Sequence, residues 1–104
     1  MRERFGGDEE LEQVALASFR QSTPPLLARL GAALAAEDRR QAGLHAHSAK
    51  GSGAMICAER YAAVAAALEE QAPHAPLAEL RALHQELQRA YDEFAALPEQ
   101  QPIP

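Results

Sequence analysis

Apolar positions along this chain recur at three- and four-residue spacing, the signature of helix rather than strand. Leu11, Val14, Ala15 and Phe19 predict a first short helix. Asp8 is placed to cap it, with Glu9 and Glu10 against the positive end of the helix dipole. Ser22-Thr23-Pro24-Pro25 predicts a restart, because a hydroxyl cap followed by proline suits a first helical turn. Leu26, Leu27, Leu30 and Leu34 then form the stripe of a second helix, which ends at Glu37-Asp38. Asp38 caps a third, running to about Cys57 or Ala58. A fourth runs from about Glu59 to Gln71, with Tyr61, Val64, Ala65 and Leu68 inward and Glu69-Glu70 towards water. Ala72 to Pro76 reads as a loop. Leu77, Leu80, Leu83, Leu87, Ala90, Tyr91, Phe94 and Leu97 mark the longest helix, stopped by Pro98. Short loops make consecutive helices antiparallel neighbours. The expectation is an all-α fold: an antiparallel up-down four-helix bundle with a short additional N-terminal helix. The domain spans 8–97, with flexible ends at 1–7 and 98–104.

Composition narrows this further. The 104 residues suffice for one core, and hydrophobic residues make up 47% of them. Aromatic residues make up only 5%, so Ala and Leu supply the core and favour helix over sheet. A net charge of −5 argues against a nucleic-acid surface, which needs a basic stripe. Cys57 stands alone, which excludes an internal disulfide and fits a reducing, cytoplasmic setting. It reads as a small core residue near a helix end. No apolar run approaches the roughly 20 residues of a membrane span, and residues 1–8 lack the apolar centre of a signal peptide.

One stretch departs from this economy. His47-Ser48-Ala49-Lys50-Gly51-Ser52-Gly53-Ala54 places two glycines inside a helix, each at a cost of about 0.5–1 kcal/mol relative to Ala. At about 100° per residue, Arg40, Gly43, Lys50, Gly51 and Ala54 cluster around His47. Ala42, His45, Ala49, Ser52 and Ile56 fall on the opposite, core-facing side. Leu44 and Met55 flank the His47 face as candidate apolar contacts for a partner, beside Arg40, Gly43 and Ala54. A neutral imidazole is a good nucleophile, and a lysine one turn on screens phosphoryl oxygens as a point charge. Gly51 clears space for an incoming loop. The chain has no P-loop, no kinase glycine-rich loop and no cluster of metal carboxylates, so no ATP chemistry of its own is expected. Its standing as an enzyme is therefore open. His45 and His47 are two apart and do not face each other, so no metal site is expected. Ser48 and Ser52 lack a base beside them and read as small packing residues.

The run resembles the signature of the histidine-containing phosphotransfer (HPt) domain. The matching residues are His47, Lys50, Gly51, the small Ser52 to Ala54, Ile56 and Ala58. Where that family often has glycine near the end of the run, this chain has Cys57. The resemblance covers about residues 8–97. It implies that His47 accepts a phosphoryl group from the phospho-aspartate of a response-regulator receiver domain and passes it to another receiver. It implies no cofactor bound by this chain, with Mg²⁺ held in the partner receiver. It implies receiver domains as partners, a hybrid sensor histidine kinase as a further one, no nucleic acid or membrane contact, and a monomer. Two alternatives stay open: the phosphoacceptor domain of a chemotaxis-type histidine kinase, and a helical adaptor without chemistry.

Overall fold

The computed structural model describes residues 9–96, all in helices or the turns between them. Four helices run α1 Glu9–Ala35, α2 Arg39–Met55, α3 Glu59–Gln71 and α4 Leu77–Ala96. Each packs on its chain neighbour, and α4 returns to α1, closing a ring of four. The described part measures 48 × 22 × 18 Å. This is the expected all-helical bundle. The expected cap at Asp8, the helix stop at Pro98 and the flexible ends lie outside the described residues.

Among the described residues there is no separate N-terminal helix. The expected break at Pro24-Pro25 lies inside α1, which continues unbroken for 27 residues. A proline removes one helical hydrogen bond and crowds the carbonyl four residues back, at about 3 kcal/mol in a helix interior. Two features offset this. The carbonyl that Pro24 strands, on Arg20, accepts a hydrogen bond from the Tyr91 hydroxyl at 3.2 Å. The buried seam also runs through the prolines without a gap: Leu16, Phe19, Thr23, Leu27, Leu30 and Leu34 are all buried. Thr23, expected as a cap, is a core residue of that seam. Leu11 and Val14, expected to face inward, are exposed, because the seam turns onto Leu16 and Phe19 instead.

Two helix ends share one turn design. Asp38 N–H reaches Ala33 O and Glu37 N–H reaches Leu34 O, at 2.8 and 3.1 Å. At the end of α2, Ala58 N–H reaches Gly53 O at 2.9 Å and Cys57 N–H reaches Ala54 O at 3.2 Å. Both are Schellman closures, which need a left-handed residue after the cap. Glu37 (φ 59°) and Cys57 (φ 61°) fill that place without being glycine. Asp38 then caps α2 as expected, accepting from Gln41 N–H at 3.0 Å. At the opposite end from the Cys57 turn, arginines tie the helix ends together. Arg39 donates to the carbonyls of Ala72 and Ala75 at 3.0 and 2.6 Å, and Arg81 donates to Leu34 O at 3.0 Å. Positive groups at helix C-termini also complement the dipole.

The core face of α2 is made of small residues: Ala42, Ala46, Ala49 and Gly53 are buried. With no bulk between them, α2 and α3 lie close. Gly53 rests against the Tyr61 ring, where a Cβ would stand 2.7 Å from Cδ2. Phe19 meets Tyr61 edge-on at 5.3 Å and Phe94 at 5.5 Å, filling this end of the bundle with aromatic rings. That close packing sets the position of α3 relative to the outer face of α2.

Candidate functional site

The outer face of α2 holds His47, and the residues around it stand where helical geometry puts them. The His47 side chain is 66% exposed. Arg40, Leu44, Gly51, Ala54 and Met55 are exposed, while Gly43 and Lys50 are half-buried. Nothing comes within 4 Å of where a Gly51 Cβ would sit, so the backbone there is open to an approaching group. Across the helix, Ile56 is buried and His45 half-buried. Ser52 is also half-buried and donates its hydroxyl to Ala49 O at 3.2 Å.

The helix-to-helix approach adds a third charged group. Glu69, near the end of α3, reaches across and joins both α2 residues. Its Oε2 stands 2.8 Å from His47 Nδ1, and its Oε1 stands 2.8 Å from Lys50 Nζ. One carboxylate therefore bridges the two side chains. Lys50 first, and His47 second, hold the Glu69 carboxyl below its usual range by hydrogen bonding. In a neutral ring, a proton on Nδ1 donates to the carboxylate and leaves the lone pair on Nε2. Nε2 has no protein partner among the described residues.

Sequence reasoning placed the Glu69-Glu70 pair on a solvated face, with contact of one carboxylate with the docking surface as the alternative, and did not pair Glu69 with His47. Its partners lie on another helix, so no three- or four-residue spacing reveals them. The antiparallel hairpin does: His47 and Glu69 stand at similar distances from the turn at Cys57. Cys57 itself needs correction. It is exposed, not in the core, because the left-handed turn position points its side chain out.

A shallow groove of about 430 Å³ runs beside His47, between the start of α2 and the end of α3. Arg39, Arg40, Gly43, Leu44, His47, Glu69, Ala72 and Pro73 line it. On the other side of Lys50, a recess of about 420 Å³ is lined by Ala54, Cys57, Glu59, Ala62 and Ala63. The expected contact residues thus divide between the two ends of the α2 face. A separate hollow of about 400 Å³ lies between α3 and α4, bordered by the Arg60–Glu93 ion pair, and does not touch His47.

The other histidines stand apart. His84 packs over Gly31 and holds the Leu27 carbonyl at 2.9 Å. His74 is exposed in the α3–α4 loop. Among the described residues, no group of three or more His, Cys, Asp or Glu could hold a metal ion. None of the described helices is long and apolar enough to cross a membrane.

The outer face of α2 thus carries an exposed imidazole bonded to a carboxylate, beside a lysine and bare backbone, on a four-helix bundle. The family model for the Hpt domain matches residues 14–96. The chain belongs to the Hpt domain family. No curated protein and no solved structure matches it. As an Hpt domain, it serves histidine phosphotransfer in two-component signalling, where such domains interact with receiver domains. The Hpt match spans nearly all of the described bundle, α1 beyond Gln13 included.

Proposed function

We propose that this chain is a phosphorelay carrier, with His47 as the phosphoacceptor. A receiver's phospho-aspartate is the donor and a second receiver the acceptor. The observation that carries the reading is the His47 ring, exposed and bonded through Nδ1 to Glu69, an arrangement in which a proton on Nδ1 leaves the Nε2 lone pair for attack. Nε2 attacks phosphorus in line. The P–N bond forms as the P–O bond to the aspartyl carboxylate breaks, and that carboxylate leaves with the electron pair. Lys50 swings its ammonium from Glu69 towards the phosphoryl oxygens and screens their charge. Gly51 admits the receiver's loops. Arg40, Gly43, Leu44, Ala54 and Met55 form the docking face, with apolar Leu44 and Met55 at its two ends. Mg²⁺ belongs to the receiver, and this chain contributes positioning and charge. A carrier of this kind works as a monomer in the cytoplasm, and a hybrid sensor kinase is a natural source of the first receiver.

The test is phosphate transfer to the purified chain from phosphorylated receiver domains with Mg²⁺. His47→Gln and His45→Gln run alongside. Acid-labile, alkali-stable label that disappears only in His47→Gln is the expected result. Label that survives His47→Gln overturns the assignment. Label obtained only from ATP and a kinase domain would instead make this the phosphoacceptor of a chemotaxis-type kinase.

A further inference from the structure

The Glu69 contact has a consequence for the phosphorylated state of the site, and it rests on the phosphoacceptor reading above. When Nε2 attacks phosphorus, Nδ1 keeps its proton. The product ring is then a phosphoimidazolium, carrying a positive charge that the unphosphorylated neutral ring lacked. The carboxylate 2.8 Å from Nδ1 faces that charge directly. On discharge, the P–N bond breaks and its electron pair returns to Nε2. A ring that still holds its Nδ1 proton leaves as neutral imidazole. A ring that has lost it must leave as imidazolate, a far poorer leaving group.

We infer that Glu69 sets the lifetime and transfer potential of phospho-His47, by holding the proton on Nδ1 that makes the ring a good leaving group. Glu69 is a positioning residue in this sense and does not touch phosphorus. Its geometry suits the task. Before transfer, Lys50 holds the second carboxylate oxygen at 2.8 Å, which aims the first at the ring. When Lys50 turns to the phosphoryl group, the carboxylate loses its other counter-charge and its negative charge acts on the ring alone. The charged groups around the ring are few. Glu69 faces it from α3, and Lys50 and Arg40 stand along α2. Arg39 lines the same groove, but its guanidinium is engaged by the Ala72 and Ala75 carbonyls. Glu69 is therefore the one negative group bonded to the ring among the described residues.

The experiment labels the full chain from a phosphorylated receiver domain with Mg²⁺, removes the receiver, and uses His47→Gln to confirm that the label sits on His47. It then follows loss of phosphate from wild type, Glu69→Gln and Glu70→Gln across pH 5 to 9. Glutamine keeps a hydrogen-bond acceptor near Nδ1 but removes the charge. Glu70 is an exposed carboxylate beside Glu69, and its change controls for net charge. A carboxylate hydrogen-bonded to Nδ1 favours the protonated phosphoimidazolium over the form that has lost the proton. The expected result is a rate–pH profile for Glu69→Gln displaced to lower pH, with phosphate loss slowed about tenfold on its alkaline side. Glu70→Gln is expected to follow wild type. Hydrolysis is the readout because water attack breaks the same P–N bond without any receiver. Glu69→Gln decaying at the wild-type rate with an unshifted profile overturns the inference and leaves the phosphoacceptor reading standing. Absence of label on His47 in the wild-type chain overturns both. Circular dichroism of each variant separates loss of fold from loss of charge.

Discussion

Two glycines, two positions apart on one helix, are expected to respond to alanine with opposite signs. Replacing an interior helical glycine by alanine is worth about 1 kcal/mol from backbone propensity alone. At Gly51 nothing stands within 4 Å of the new Cβ, so Gly51→Ala should gain most of that, about 0.5–1 kcal/mol. At Gly53 the new Cβ lies 2.7 Å from Tyr61 Cδ2 and 3.3 Å from the Ala62 nitrogen. The ring cannot retreat freely, since Phe19 meets it edge-on at 5.3 Å and Tyr91 at 6.4 Å. Overpacking of this kind costs about 1–3 kcal/mol. Set against the propensity gain, Gly53→Ala should lose about 1–2 kcal/mol. The two variants should therefore differ by about 2–3 kcal/mol, or on the order of 10 °C in Tm for a domain of this size. Urea denaturation followed by far-UV circular dichroism measures both, with equal slopes confirming that the folded states are alike. Gly53→Ala as stable as wild type would refute the packing argument. Gly51→Ala less stable than wild type would refute the claim that its surroundings are open. The functional effects should be reversed: Gly51→Ala is expected to slow phosphate transfer while folding better, because in the proposed docking its methyl group stands in the receiver's path.

Two further outcomes follow from the same structure. Cys57→Gly should stabilise the domain by about 0.5–1 kcal/mol, because a left-handed residue with a Cβ carries a strain of roughly 1–2 kcal/mol, part of which glycine returns as unfolded-state entropy. A midpoint unchanged or lowered in the same denaturation assay would show that the turn is not strained. Alkaline pH should act through Tyr61, whose burial pushes its phenol up to about 12. The unfolded chain releases that proton near 10, so Tyr61's contribution is complete below pH 10 and is lost as pH rises towards 12. Two units correspond to roughly 2–3 kcal/mol. Stability measured from pH 9 to 12 should fall accordingly, and a flat profile in that range would contradict the burial.

The sequence by itself determined the helical class, the α3 boundaries and its inward face of Tyr61, Val64, Ala65 and Leu68, the Asp38 cap, and the outward direction of His47. All of these depend on interactions within about one turn of chain, where spacing is a direct record of geometry. The continuity of α1 was not legible there. Local rules put a break at Pro24-Pro25, and only the distant Tyr91 hydroxyl and the uninterrupted seam from Leu16 to Leu34 show why the helix continues. The exposure of Cys57 followed from a left-handed turn that cysteine does not announce. Above all, the carboxylate at His47 was decided by tertiary structure. Small residues on the inner face of α2 let α3 come close, and that approach carries Glu69 to both His47 and Lys50. Periodicity along one helix fixes which way a side chain points, but what it meets depends on how closely the next helix can pack.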